Sequence, residues 1–91
     1  MPAEPTIADL PGLGPKSRVM LAQAGIHNVE DLRALGAVVA YVRTKRAVGG
    51  VSLNLLWGLE SALTGVPWQQ VAREHRTSLL LALEDHERRN P

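Results

Sequence analysis

Glycine stops divide this chain. Gly25, Gly36, the pair Gly49-Gly50 and Gly65 each follow a stretch whose apolar residues recur three and four positions apart. That spacing puts them on one face of a helix, and a glycine just past the last of them is a common helix terminator, because it takes a left-handed backbone without steric cost. A chain of 91 residues cut in this way folds into short helices around one core, with too little apolar surface for two. Composition agrees. Leucine and alanine supply 25 of the apolar residues, phenylalanine is absent and only three aromatics occur, whereas strands draw on aromatic and β-branched side chains. No segment alternates with period two for long enough to form a strand. The expected fold is all-α: a compact single domain over residues 1–91 with five to six helices.

Met1–Pro5 reads as a loose tail, Thr6 caps a short helix to Leu10, and Pro11 stops it. Leu10–Ser17 then forms a tight turn in which Gly12 and Gly14 flank one apolar residue and Pro15 takes the first position of a new helix. That helix runs to Ala24 with Leu13, Ser17, Met20, Leu21 and Ala24 on one stripe. Gly25 then Ile26 predicts a left-handed cap in which Ile26 folds back on Leu21. Asn28, with Asp31 three residues on, opens a helix whose Val29, Leu32 and Leu35 face inward until Gly36. Ala37–Ala47 follows, with Val38, Val39 and Val42 on one side. Ser52 caps a helix to Thr64 with the face Leu55, Leu56, Leu59 and Leu63. Pro67 opens a turn with Trp68 and Val71. The last helix runs from near Arg73 to Arg89 on a stripe of Leu79, Leu80 and Leu83, and residues 84–91 form its polar end.

What is missing narrows the function. Cysteine is absent, which removes disulfide scaffolds, cysteine-ligated zinc and thiol catalysis and suits a cytoplasmic protein. The start lacks the basic and apolar stretches of a signal peptide. The longest uncharged run, Ala47–Leu59, is too short and polar to span a bilayer, so no membrane partner is expected. His75 and His86 lie about 16 Å apart on one helix and His27 stands in a turn, so neither a metal site nor a cofactor is expected. No catalytic motif surrounds Ser17, Ser52, Ser61 or Ser78. Glu84, Asp85 and Glu87 sit beside Arg88 and Arg89 as on a solvated face. Glu60 stands out in an apolar helix, where its ordinary role is structural. The sequence reads as a non-enzyme. Net charge is +1, distributed as −1 over 1–35, +2 over 36–64 and 0 over 65–91. Any nucleic-acid binding therefore rests on local groups.

Gly12-Leu13-Gly14, a tight turn between two helices, has the form of a helix-hairpin-helix motif, and it would give the N-terminal half of the domain that character. Amides at a helix N-terminus point outward with the positive end of the dipole behind them, ready for a phosphate oxygen. The candidate phosphate or DNA contacts are Gly12, Gly14, Lys16 and Arg18, with Arg43, Lys45 and Arg46 as a second cluster. Each group also has a plain structural role, the turn as a corner and the second cluster as cations at the negative end of a helix. No helix offers a clear set of side chains for base edges, so contact with the DNA backbone would be weak and indifferent to sequence.

Three blocks resemble, in order, the C-terminal domain of the TfoX/Sxy family: Leu10–Ser17, Gly25–Lys45, and Ser52–Gly65 with Val66-Pro67-Trp68. The likeness extends over Leu10–Leu83. Carried over residue by residue, the family's pattern falls on Gly14, Pro15, Gly25, Ile26, Leu32, Gly36, Ala37, Leu56, Leu59, Glu60, Gly65 and Trp68, mostly turn glycines and core residues. The resemblance implies an all-helical, helix-hairpin-helix-like fold. It also implies a part in regulating bacterial competence for DNA uptake, as a coactivator beside the cyclic-AMP receptor protein. The family's two-domain regulators carry an N-terminal domain for which 91 residues leave no room, so the expectation is a stand-alone copy. The alternative, from a different class, is a protein-interaction or dimerisation domain that binds no nucleic acid.

Two expectations concern packing. Trp57 and Trp68 are large enough that each should bury most of its ring and pin the last two helices together. In the run Leu79–Leu83, Leu81 points away from the main stripe. It is either one exposed leucine or the face for a second copy in a homodimer.

Overall fold

A computed structural model describes residues 13–90. Among them α1 (Pro15–Gln23), α2 (Val29–Val48), α3 (Leu53–Thr64), α4 (Trp68–Gln70) and α5 (Arg76–Arg89) follow in order, with a π-helical turn (Val71–His75) between α4 and α5 and no strand. The domain is all-α, as its apolar spacing predicts. Since α4, the π turn and α5 run on without a break, the described residues form four helical rods; the expected count of five to six took in the whole chain. The expected helix Thr6–Leu10, the tail before it and Gly12 lie outside the described residues, and so does the first arm of the hairpin. The two helices expected on either side of Gly36 are both present, joined as α2 across a non-helical break at that glycine, and the turn at Trp68 is the first turn of the last rod.

The glycine stops close through local hydrogen bonds. At the end of α1 the Gly25 amide donates to the Ala22 carbonyl at 3.0 Å and the Ile26 amide to the Leu21 carbonyl at 2.9 Å, the paired bonds of a Schellman cap. Gly25 has φ +83°, and Leu21 and Ile26 are both fully buried, so cap and hydrophobic contact form together. Asn28 Oδ1 accepts from the Asp31 amide at 2.8 Å, and Asp31 Oδ2 accepts in return from the His27 amide at 3.2 Å. That is a capping box with its return bond moved one residue toward the N-terminus. Inside α2, Gly36 bends the rod at φ +80°, ψ +167°, a region open essentially to glycine alone. Ser52 holds the N-cap position of α3 with an extended backbone, but its side chain makes no capping bond. The hydroxyl expected to cap that helix is free of it.

α2 is the central rod and touches α1, α3 and α5. A helix contacted on several sides needs more than one apolar stripe. Its buried residues after the bend are Ala37, Ala40, Tyr41, Val42 and Thr44, whereas Val38 and Val39 are only half-buried. The expected valine face is therefore replaced in large part by small alanines, against which neighbouring rods can pack closely. Thr44 is fully buried, and its hydroxyl donates to the Ala40 carbonyl at 2.8 Å, one turn back. α3 brings Leu55, Leu56 and Leu59 into the core, as its spacing predicts, with Trp57 and Ser61 beside them, while Leu63 of the expected face is only half-buried. The Ser61 hydroxyl donates to the Val66 carbonyl at 2.6 Å and so closes the loop that leads to the last rod.

The π turn has a packing consequence. Val71, Leu79 and Leu83 are the buried residues of the last rod. In an unbroken α-helix Val71 and Leu79, eight positions apart, would stand about 80° out of line. A π turn spends roughly one extra residue per turn, which brings Val71 back over Leu79 and onto the core. Trp68 is the residue left outside. Trp68 is 44% exposed, against 6% for Trp57, so only Trp57 buries its ring as expected. One turn beyond Trp68, Val71 occupies the fully buried place. Leu81 is exposed too. Its neighbours at helical spacing, Thr77, Ser78, Glu84 and Asp85, are all exposed and polar, so it stands singly on that face.

Candidate phosphate-binding cleft

The first turn of α1 and the start of α3 meet across an open cleft of about 420 Å³. Lys16, Ser17 and Met20 form one wall, and Gly49, Gly50, Val51, Ser52, Asn54 and Leu55 the other. Both helices begin here without a side-chain cap, and neither carries an acid in its first turn. The N-cap of α1 is Gly14, in extended backbone, and the first bond of that helix runs from the Arg18 amide to the Gly14 carbonyl at 3.0 Å. Pro15 has no amide hydrogen, so the amides of Lys16 and Ser17 are the donors left over. In α3 the Leu55 amide donates to the Ser52 carbonyl at 3.1 Å, leaving those of Leu53 and Asn54. Two positive dipole ends, one ammonium and the polar groups of Ser17, Ser52 and Asn54 thus converge, with no carboxylate among the described residues of the lining. α2 is a contrast, since Asn28 caps it and Glu30 and Asp31 occupy its first turn.

The sequence candidates divide accordingly. Lys16 lines the cleft, whereas Gly14, the N-cap of α1, is not part of its lining. Gly12 lies outside the described residues. Arg18 is exposed but stands about 200° around α1 from Lys16 and does not line the cleft. Arg43 and Lys45 are exposed on the last turns of α2. Arg46 is engaged elsewhere, its guanidinium donating to the Asn90 carbonyl at 2.6 Å. Sequence reasoning did not assign Ser17, Ser52, Asn54 or the Gly49-Gly50 loop to the site. A glycine pair followed by Ser-x-Asn at a helix start was a visible signal, but nothing local says that it faces Lys16.

Glu60, the carboxylate that stood out, has a partner. His75 Nδ1 lies 3.5 Å from Glu60 Oε2, joining α3 to the π turn, with both side chains partly exposed. Two groups at that distance hold a turn in place. Among the described residues no cluster of three or more His, Cys, Asp or Glu is disposed to hold a metal ion, and no helix is long and apolar enough to cross a membrane.

Rods packed on a central bent helix, with a cleft between two uncapped helix starts, define the described residues as a small all-helical domain. The pattern of the TfoX C-terminal domain family matches residues 3–83, and the chain belongs to that family. It is 34% identical over 84 residues to DNA transformation protein TfoX of Haemophilus influenzae, an alignment covering 92% of this chain and 39% of that protein. To DNA transformation protein TfoX1 of Aliivibrio fischeri it is 29% identical over 75 residues, covering 81% of this chain and 36% of that protein. The chain thus spans well under half the length of these relatives. No solved structure matches it.

Proposed function

We propose that this domain is a non-enzymatic regulatory module of DNA transformation and that its cleft receives a phosphate of the DNA backbone. The observation that carries the reading is the convergence of two uncapped helix starts and Lys16 on a cleft whose lining, among the described residues, holds no carboxylate. Such a place favours an anion, and its donors are backbone amides, which read no sequence. The names of the relatives, both DNA transformation proteins, agree with a role near DNA. With one ammonium in the cleft, binding is weak and salt-sensitive.

Replacing Lys16 by glutamate tests it. The residue is exposed in the first turn of α1, and an acid there suits the helix dipole, so the thermal midpoint should hold while affinity for duplex DNA at low salt falls. Equal binding by variant and unmodified protein would leave the cleft as architecture. A second reading, a domain that docks on another protein such as a transcription regulator, is favoured by the exposure of Trp68 beside Pro67. Loss of partner capture on replacing Trp68, with DNA binding unchanged, would select it.

A further inference from the structure

The last rod carries two stripes that cannot both face the core. Val71, His75, Leu79 and Leu83 follow at four-residue steps; Val71, Leu79 and Leu83 are buried and His75 is half-buried. Trp68, Ala72, His75 and Leu79 follow at steps of four, three and four. Counted back from Leu79 along an unbroken α-helix, Ala72 and Trp68 stand within about 20° of it, and Val71 about 80° away. The π turn over Val71–His75 reverses that choice, since Val71 is fully buried and Trp68 is 44% exposed. Gln70, Val71 and Arg76, at the two ends of the π turn, have ordinary right-handed helical dihedrals. Passing between the two registers therefore takes small rotations within one allowed region of backbone.

Two consecutive residues of α3 hold the ends of this segment. The Ser61 hydroxyl donates to the Val66 carbonyl at 2.6 Å just before the rod begins. Glu60 Oε2 lies 3.5 Å from His75 Nδ1 at the far end of the π turn. His75 belongs to both stripes, so its contact with Glu60 suits either register. The extra residue of the π turn can then leave only toward the loop at 65–67, and the Ser61 bond stands in its way.

We infer that residues 68–75 are a two-register element. The π register presents the Trp68 indole to solvent; the α register turns Trp68 and Ala72 onto the core and Val71 away from it. The Ser61–Val66 bond is the catch between them. π turns recur at functional sites, and a packed segment with two discrete arrangements is how binding in one place is felt in another. A partner that takes the indole holds the π register by its differential affinity for that state. The inference is independent of the phosphate reading of the cleft.

Fluorine NMR of the full chain labelled with 5-fluorotryptophan reads both indoles, with Trp68→Phe to assign them and a soluble paramagnetic agent to report exposure. In the unmodified protein the Trp68 signal should broaden strongly and that of Trp57, 6% exposed, hardly at all. Deleting Glu74, an exposed residue of the π turn, removes the extra residue and should protect both signals. Val71→Ser puts a hydroxyl in the core in the π register and in solvent in the α register, so it should move Trp68 toward the protected state. Ser61→Ala releases the catch and should move it the same way, whereas Val71→Ile should leave Trp68 exposed. A Glu74 deletion that keeps its helical circular dichroism with Trp68 still broadened overturns the two-register element. If the deletion variant does not fold, Val71→Ser decides: protection of Trp68 supports the element, and continued broadening or loss of fold overturns it. An exposed Trp68 in Ser61→Ala overturns the catch.

Discussion

Truncating each tryptophan in turn tests whether the last rod is seated as described. Trp57 is 6% exposed and Trp68 44%. On a side chain of about 250 Å², that difference is about 95 Å² of surface in contact with water, or about 2.4 kcal/mol at ~25 cal/mol per Å². Trp57→Ala removes a core side chain and should cost about 3–5 kcal/mol. Trp68→Ala should then cost about 1–2 kcal/mol, because little cavity forms where solvent already reaches the ring. Against a total stability of roughly 5–14 kcal/mol for a chain of this length both variants remain measurable. Urea unfolding followed by far-ultraviolet circular dichroism is the suitable assay, since each variant loses one of the two tryptophan fluorophores. The midpoints should fall in the order unmodified, Trp68→Ala, Trp57→Ala, with slopes alike. Equal losses, or a larger loss at Trp68, would refute the π-turn account, because Val71 and not Trp68 would then have to be the residue turned away from the core.

Gly36→Ala should cost about 1–3 kcal/mol for backbone conformation alone, since a Cβ there meets no atom within 4 Å; D-alanine at the same position, introduced by chemical ligation, should restore the thermal midpoint. Ser61→Ala leaves the Val66 carbonyl without its donor and should cost about 1–3 kcal/mol, whereas Ser61→Thr should lose more through crowding at a fully buried site. Both are read by chemical denaturation, and a neutral Ser61→Ala would mean that the hydroxyl does not hold the loop.

Much of this fold was legible because its determinants are local. The Schellman cap needs only Leu21, Ala22, Gly25 and Ile26 in one stretch of chain, and the Asn28–Asp31 box spans three residues. Apolar spacing located the rods because a helix repeats its face every three or four residues whatever it packs against. The same locality explains the errors. Valine is the more hydrophobic residue, so the sequence pointed to Val38 and Val39, yet a central rod approached from several sides buries Ala37 and Ala40 instead.

The candidate site divides along the same line. Lys16 could be nominated from the turn that precedes α1, since a helix start advertises its free amides in sequence. Its partners across the cleft, Ser52 and Asn54, are more than thirty positions away, and only the packing of the rods makes them neighbours. Arg43, Lys45 and Arg46 form one basic cluster on paper, but the arrival of Asn90 beside Arg46 separates the third from the other two. Trp68 and Val71 share a turn, and which of them enters the core depends on a wide π turn. Rules that reach one helical turn along the chain settle where helices begin, bend and stop; which faces meet is decided by side chains far apart in sequence competing for the same buried volume.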